Sequence, residues 1–219
     1  MKKIRLTSLL VASAIALAAS SSAFASNNEV FAGIGSDGLG IGYAYGINQN
    51  FSVHAEYDGL SYSGTYNNSD TNYHGNLHLQ SSGVYGDYFP MGGSFRVTAG
   101  YIDSGSKFSG EADGDAGTVT INHVRYSLAG ESAKVSIAFP SSMPYLGIGW
   151  GHNATKPGFG FYGDLGVQFG NPKTNIALSP GLAAMVPASD VSEQERQINS
   201  DVKVLGGWPV LSFGVAYRF

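Results

Sequence analysis

Large apolar residues and small or polar ones take turns along most of this chain, with a period of two. Between residues 39 and 47, Leu39, Ile41, Tyr43, Tyr45 and Ile47 alternate with Gly40, Gly42, Ala44 and Gly46. Successive side chains of an extended strand point to opposite faces, so this segment reads as a strand with one greasy and one minimal face. The end of the sequence repeats the pattern, with Phe213, Val215, Tyr217 and Phe219 on one side and Ser212, Gly214, Ala216 and Arg218 on the other. Segments near 30–35, 39–47, 51–64, 72–88, 93–110, 118–139, 144–152, 158–170, 173–180 and 208–219 are bounded by Gly, Pro, Asn or Asp and read as strands.

The alternation changes phase once near the start. Val30, Ala32 and Ile34 are even-numbered, whereas the next apolar set is odd, so Ser36-Asp37-Gly38 is either a tight turn or a bulge. A turn gives about ten strands. A bulge, with one further merger, gives eight, and both counts satisfy the even number required when the two termini lie on one side of a membrane.

Such strands, greasy outward and small or polar inward, suit an antiparallel up-and-down transmembrane β-barrel. In lipid every backbone N–H and C=O must be paired within the protein, and a closed barrel has no open edge. Composition agrees: 31 glycines, 13 tyrosines and 12 phenylalanines accompany only 13% charged residues, the residues that lumen walls and aromatic girdles use. Cysteine is absent, so disulfides contribute nothing. At the start, Lys2, Lys3 and Arg5 precede an apolar run from Leu9 to Ala19 and a small-x-small site, Ala23-Phe24-Ala25. Residues 1–25 therefore read as a secretory signal peptide and 26–219 as the barrel domain. Removing those three bases leaves nine against 16 acids and moves the formal charge from −4 to −7, which argues against a nucleic-acid partner.

Loop lengths suggest an orientation. The short connections near 48–50, 89–93, 140–143 and 171–173 read as periplasmic, and 65–71, 111–117, 152–157 and 181–207 as external. In the last of these, Asp190 and Glu193 have the spacing of a helix cap, and Val191, Ile198, Val202 and Leu205 form one helical stripe, which predicts a short helix.

Candidate chemistry lies on the inner wall. Outward Phe51, Val53, Ala55 and Tyr57 turn His54, Glu56 and Asp58 inward, and the next strand is read with His74, His78 and Gln80 inward, followed by Arg96 and then Asp164. A buried guanidinium needs acidic company, so Arg96 is expected to bond Glu56 or Asp164, directly or through Gln80. No metal is expected, because His74 and His78 would lie ~13 Å apart along a strand. Gly33-Ile34-Gly35-Ser36-Asp37-Gly38 matches a nucleotide-binding pattern by letter, but a strand follows where a helix is needed, and no cofactor is expected. The acidic stretch from Glu111 through Asp113 to Asp115 reads as a solvated outer loop. No nucleophile motif stands in a fitting context, so the chain is not expected to be an enzyme.

The aromatic carboxy terminus, with Gly214, Tyr217 and Phe219 at matching offsets, resembles the signal by which bacterial outer-membrane barrels are recognised for assembly. Pro144-Tyr145-Leu146-Gly147-Ile148-Gly149-Trp150-Gly151, the stretch from Phe159 to Val167, and Trp208-Pro209-Val210 likewise resemble a family of small Gram-negative outer-membrane barrels, OmpA- or OmpW-like or porin-like. The resemblance implies residence in the outer membrane, contact with its lipid and lipopolysaccharide, and the barrel assembly machinery as a partner. It carries over no catalytic residue, and the chain departs from the larger trimeric porins, which have more strands and a constriction loop. Replacing Phe219 by Asp is expected to reduce the heat-modifiable, membrane-inserted protein on gels of outer-membrane fractions, and wild-type amounts would refute the signal.

Overall fold

The computed structural model describes residues 27–67, 71–114, 117–153, 157–202 and 207–219. The expected leader and its cleavage point before Ser26 lie outside the described residues, as do Asp115 and Leu205. In chain order the strands are β1 (Asn28–Gly35), β2 (Gly38–Asn48), β3 (Phe51–Asn67), β4 (Asn72–Tyr88), β5 (Phe95–Ser104), β6 (Lys107–Asp113), β7 (Thr118–Ile121), β8 (Val124–Ser127), β9 (Ser132–Ala138), β10 (Ser142–Trp150), β11 (Gly158–Phe169), β12 (Lys173–Leu178) and β13 (Gly207–Arg218). Two helices, α1 (Pro180–Met185) and α2 (Ala188–Val202), precede β13.

The antiparallel sheet closes through eight strands in the order β1-β2-β3-β4-β5-β10-β11-β13, with β13 returning to β1. The count is eight, although Ser36-Asp37 does form the tight turn, with Gly38 at φ +115° completing it. Two of the ten segments read from the sequence do not cross as strands of their own. Segment 173–180 is β12, the upward continuation of β11, and segment 118–139 holds the β7–β8 hairpin and β9, which runs on into β10.

These passes are broken without losing register. Along β4, Ser81 faces Ser104 of β5 and His78 faces Lys107 of β6, so one ladder simply skips Gly105 and Ser106. The gap is stitched by Gly105 N–H to the Gln80 carbonyl at 2.9 Å and by Ser104 N–H to the Ser141 carbonyl at 2.9 Å. Above the break, the upper parts of β3 and β4 with β6, β9 and β12 form a protruding sheet. The β7–β8 hairpin, α1 and α2 cover its β9–β12 half through Ile121, Leu128, Ala133, Leu182 and Val186.

The terminal end of the barrel carries the connections 49–50 and 89–94 and the end of β10 at Trp150, because β1 leaves it and β13 returns to it. Of the segment 152–157, read as external, residues 154–156 lie outside the described residues, and His152 and Asn153 are on the side of the short turns: Asn153 donates to the Gly92 carbonyl at 3.2 Å. The stretches 140–143 and 171–173 are bends in rising or falling passes at the other end, not periplasmic turns. Glu111 and Asp113, read as a loop, belong to β6 and pair with β4 and β9. The helix expected from Asp190 starts two residues earlier, and Asp190 accepts hydrogen bonds from Asn122 Nδ2 at 3.1 Å and Tyr126 Oη at 3.3 Å instead of capping.

Outward positions of the ring form an apolar band. Tyr43, Val53, Tyr57 and Phe161 face out, as the alternation predicts, and Phe159 and Phe161 are 85% and 82% exposed. Aromatic pairs ring the terminal end: Phe51 with Tyr88, Phe95 with Trp150, and Phe159 with Tyr217, at centroid distances of 5.1, 6.0 and 4.9 Å. This is the girdle expected where a barrel meets the headgroups. Leu165 lies near the middle of the band, between Ile148 and Leu211. Leu165→Arg is expected to cost about 2–4 kcal/mol in urea unfolding from lipid, while Gln80→Arg, outward but above the band, changes little. Equal effects at both sites would overturn the placement of the band.

Candidate functional site

An eight-stranded ring has an interior just wide enough for side chains to fill, and here a floor of aromatic and charged groups fills the terminal half. Large rings fit because glycines lie under them. A Cβ at Gly147 or Gly166 would strike Tyr145, one at Gly83 or Gly100 would strike Tyr85, and one at Gly33 or Gly214 would strike Tyr162. The small residues of the inner face are thus the sockets for the rings. Gly214, part of the terminal motif, is one of them, while Tyr217 and Phe219 stay outside.

The rings form a slab across the lumen. Tyr145 meets Tyr85 edge-on at 5.3 Å, Tyr85 stacks on His54 at 4.5 Å, His54 on His152 at 5.3 Å, and His152 lies against Tyr162 at 4.6 Å and Phe31 at 4.3 Å. His152 reaches this place from the turn after β10. Gly151 and His152 both have positive φ, +100° and +57°, which folds the chain back and sends the imidazole into the barrel. Histidine tolerates that left-handed conformation better than most residues.

Beside the slab runs a charge network centred on Asp87. Its two oxygens accept from Ser52 Oγ at 3.0 Å, His54 Nδ1 at 2.8 Å, Arg96 Nη1 at 2.7 Å and Thr98 Oγ1 at 2.6 Å. An ionised carboxylate only accepts, so the His54 proton sits on Nδ1. Arg96, with no exposed surface, also donates from Nη2 to Asp164 at 2.5 Å. Of the partners expected for Arg96, Asp164 is found. The second carboxylate is Asp87, not Glu56, and Gln80 plays no part. A separate trio ties the closing seam, where Glu29 bonds both His152 and Arg218.

The structure brings His54, Glu56, Asp58, Arg96 and Asp164 into the lumen, as read from the sequence. It does not bring His74, His78 or Gln80 there. On β4 the odd positions face inward: Ser52 pairs with Asp87, His54 with Tyr85 and Glu56 with Gly83. His78 and His74 instead bond Ser61 and Thr65 on the outer surface of the protruding sheet. The physical reason is that polarity inverts along this strand. Within the band the outer face meets lipid and is apolar, but above Gln80 the outer face meets water and the inner face turns apolar, with Leu77 and Leu79. Reading histidines as lumen residues carried the inverted upper pattern down the whole strand.

Asp87, Glu29 and His152 were missed. The signal for Asp87 was present, since Val84 and Tyr88 mark the even face of β4 as greasy, and a carboxylate cannot share the face opposite to the lumen in lipid. Glu29 lay too close to the expected cleavage site to read, and His152 comes from a turn, where alternation is silent.

Above the floor the lumen opens into a pocket lined by Asp37, Glu56, Asp58, Tyr145 and Asp164. Space for the centres of water-sized groups amounts to about 20 Å³, room for about one water. Gly40 leaves space for two of these acids, since a Cβ there would meet the carboxylates of Glu56 and Asp58. Asp58 accepts from Ser81 Oγ at 3.2 Å and Asp37 from Gln168 Nε2 at 2.5 Å. Among the described residues, no group of three or more His, Asp or Glu side chains is disposed to hold a metal ion.

Removing Arg96 leaves Asp87 and Asp164 buried without their cation. Arg96→Ala is expected to cost about 3–5 kcal/mol in urea unfolding, and the loss should shrink when Asp87→Asn is added. A loss under about 1 kcal/mol would mean that water replaces the guanidinium and the floor is not dry.

Neither a protein-family model nor a curated protein matches this chain. Solved structures do. Acinetobacter baumannii CarO superposes with a TM-score of 0.63 at 19% identity, over 87% of this chain and 97% of that one. CarO2 of the same organism gives 0.63 at 20% identity, over 88% and 98%. At that identity the likeness is one of fold, and the fold is that of an outer-membrane β-barrel.

Proposed function

We propose that this protein is a structural component of the outer membrane, a narrow barrel whose lumen is closed by a charge-paired floor and which presents an ordered sheet-and-helix cap to the outside. The observation that carries this reading is the floor itself. The slab from Tyr145 to Phe31, with Arg96 held between Asp87 and Asp164, sets close-packed rings and ion pairs across the lumen, which supports a closed barrel. The apolar band, the aromatic girdle and the terminal strand ending on Phe219 support residence in the outer membrane among small barrels of the OmpA- and OmpW-like kind, with its lipid and lipopolysaccharide as surroundings and the barrel assembly machinery as the partner that inserts it. The proposal gives the protein no catalytic role. The cap, with its own apolar core, supports an outward-facing binding role as well.

A second reading, a narrow pore, is favoured by the acidic pocket above the floor, which is half of a passage. Conductance decides between them. Refolded wild-type protein in planar bilayers is expected to carry no steady current, and Tyr162→Ser, which removes one ring from the floor while leaving Arg96 in place, is expected to produce brief openings. A steady wild-type current would overturn the closed barrel in favour of the pore.

A further inference from the structure

The protruding sheet has two outer edges, and they are treated differently. At the β12 edge, the backbone N–H groups that no strand takes up are received by α2: Thr174 N–H by Asn199 Oδ1 at 2.9 Å and Ile176 N–H by Glu195 Oε1 at 2.7 Å. At the β3 edge nothing corresponds among the described residues. The last β2 partner along β3 is Leu39, opposite Gly59, and from Leu60 to Asn67 this strand pairs only with β4 among the described residues. Exposed edges in soluble regions are ordinarily blunted by charges, proline, bulges or a covering element. The sequence Leu60-Ser61-Tyr62-Ser63-Gly64-Thr65-Tyr66-Asn67 contains no charge and no proline, and its register with β4 is unbroken from Phe51 to Asn67.

We propose that the β3 edge at residues 60–67 is a docking site for an extended segment of another polypeptide, which adds to the sheet as a further strand. Only a peptide backbone offers donors and acceptors at the spacing of this edge, which runs for roughly 26 Å at about 3.3 Å per residue. The incoming strand takes the place that β2 vacates, standing above the β1–β2 turn. Its side chains alternate as those of β3 do: apolar or aromatic ones beside Leu60, Tyr62 and Tyr66, of which the two tyrosines are 67% and 69% exposed, and small polar ones beside Ser61, Ser63 and Thr65.

A second copy of this chain cannot pair through the same edge. Two barrels in one membrane both have β3 rising from the same side, so their edges cannot meet antiparallel. A two-fold axis along the membrane normal would set identical groups at identical heights, donor against donor. With pairing of two β3 edges ruled out, the proposed partner is a different chain, and the proposal stands whether or not the lumen conducts.

The test uses the full barrel in lipid nanodiscs and, as probe, a capped peptide of alternating valine and threonine about nine residues long with one terminal lysine. Amide hydrogen exchange is followed by NMR. The fast-exchanging amides among residues 60–67 are expected to slow by about tenfold or more with the peptide, whereas those of β12 do not change. The same peptide N-methylated at alternate nitrogens is expected to give no slowing. Ser63→Lys combined with Thr65→Lys, which charges the edge, is expected to weaken binding by about tenfold while leaving heat-modifiability as in the wild type. Three results would overturn the proposal: no slowing at about 1 mM peptide, equal binding by the methylated peptide or the lysine variant, or slowing produced by lipopolysaccharide oligosaccharide and not by peptide.

Discussion

Closing a ring with eight strands leaves an interior that must be filled by side chains, and the rest of this structure follows from that shortage of space. Glycine on the inner face is the first consequence. Tyr85, Tyr145 and Tyr162 each lie where a Cβ on the neighbouring strands would collide with them, so ring and socket are placed as pairs across adjacent strands. The second consequence is that a charge in the floor has no water to fall back on. Arg96 is tolerable there because Asp87 and Asp164 grip its two terminal nitrogens, and Asp87 because four donors saturate its oxygens. Its Nε remains without a partner, a residual cost that the two carboxylates outweigh.

Much of this was legible in the sequence. Strict alternation on 39–47 and 51–57 set the facing of β2 and lower β3 correctly, because both lie within the apolar band where outside means lipid. That alternation placed His54, Glu56 and Asp58 indoors, and the need of a buried guanidinium for a carboxylate led to Asp164. The terminal strand showed its two faces equally plainly.

What was not legible has one physical source: the sheet outgrows the membrane. Above the band the same strand, in the same register, swaps which face is apolar, so periodicity persists while its meaning reverses. β4 crosses that level near Gln80, and its histidines were assigned to the wrong side of the wall. Of the two strand counts read from the sequence, ten and eight, the ring has eight for a related reason. The stretches 140–143 and 171–173 look like turns by composition, yet β9 runs on through the first into β10 and β11 through the second into β12. Composition cannot tell a pass that ends from one that merely bends.

The seam where β13 meets β1 also governs the order of events in folding. Glu29 and Arg218 are neighbours in the ladder although 189 positions separate them in sequence. Every other strand pairing of the ring links consecutive passes, and this one must wait until the last strand has arrived. Until then the chain is an open sheet with two bare margins and a floor missing part of its support, since Glu29 cannot yet hold His152 and Arg218 together. Closing so long a loop carries the largest entropic penalty in the molecule. The full set of lumen interactions is accordingly complete only once the two ends have joined.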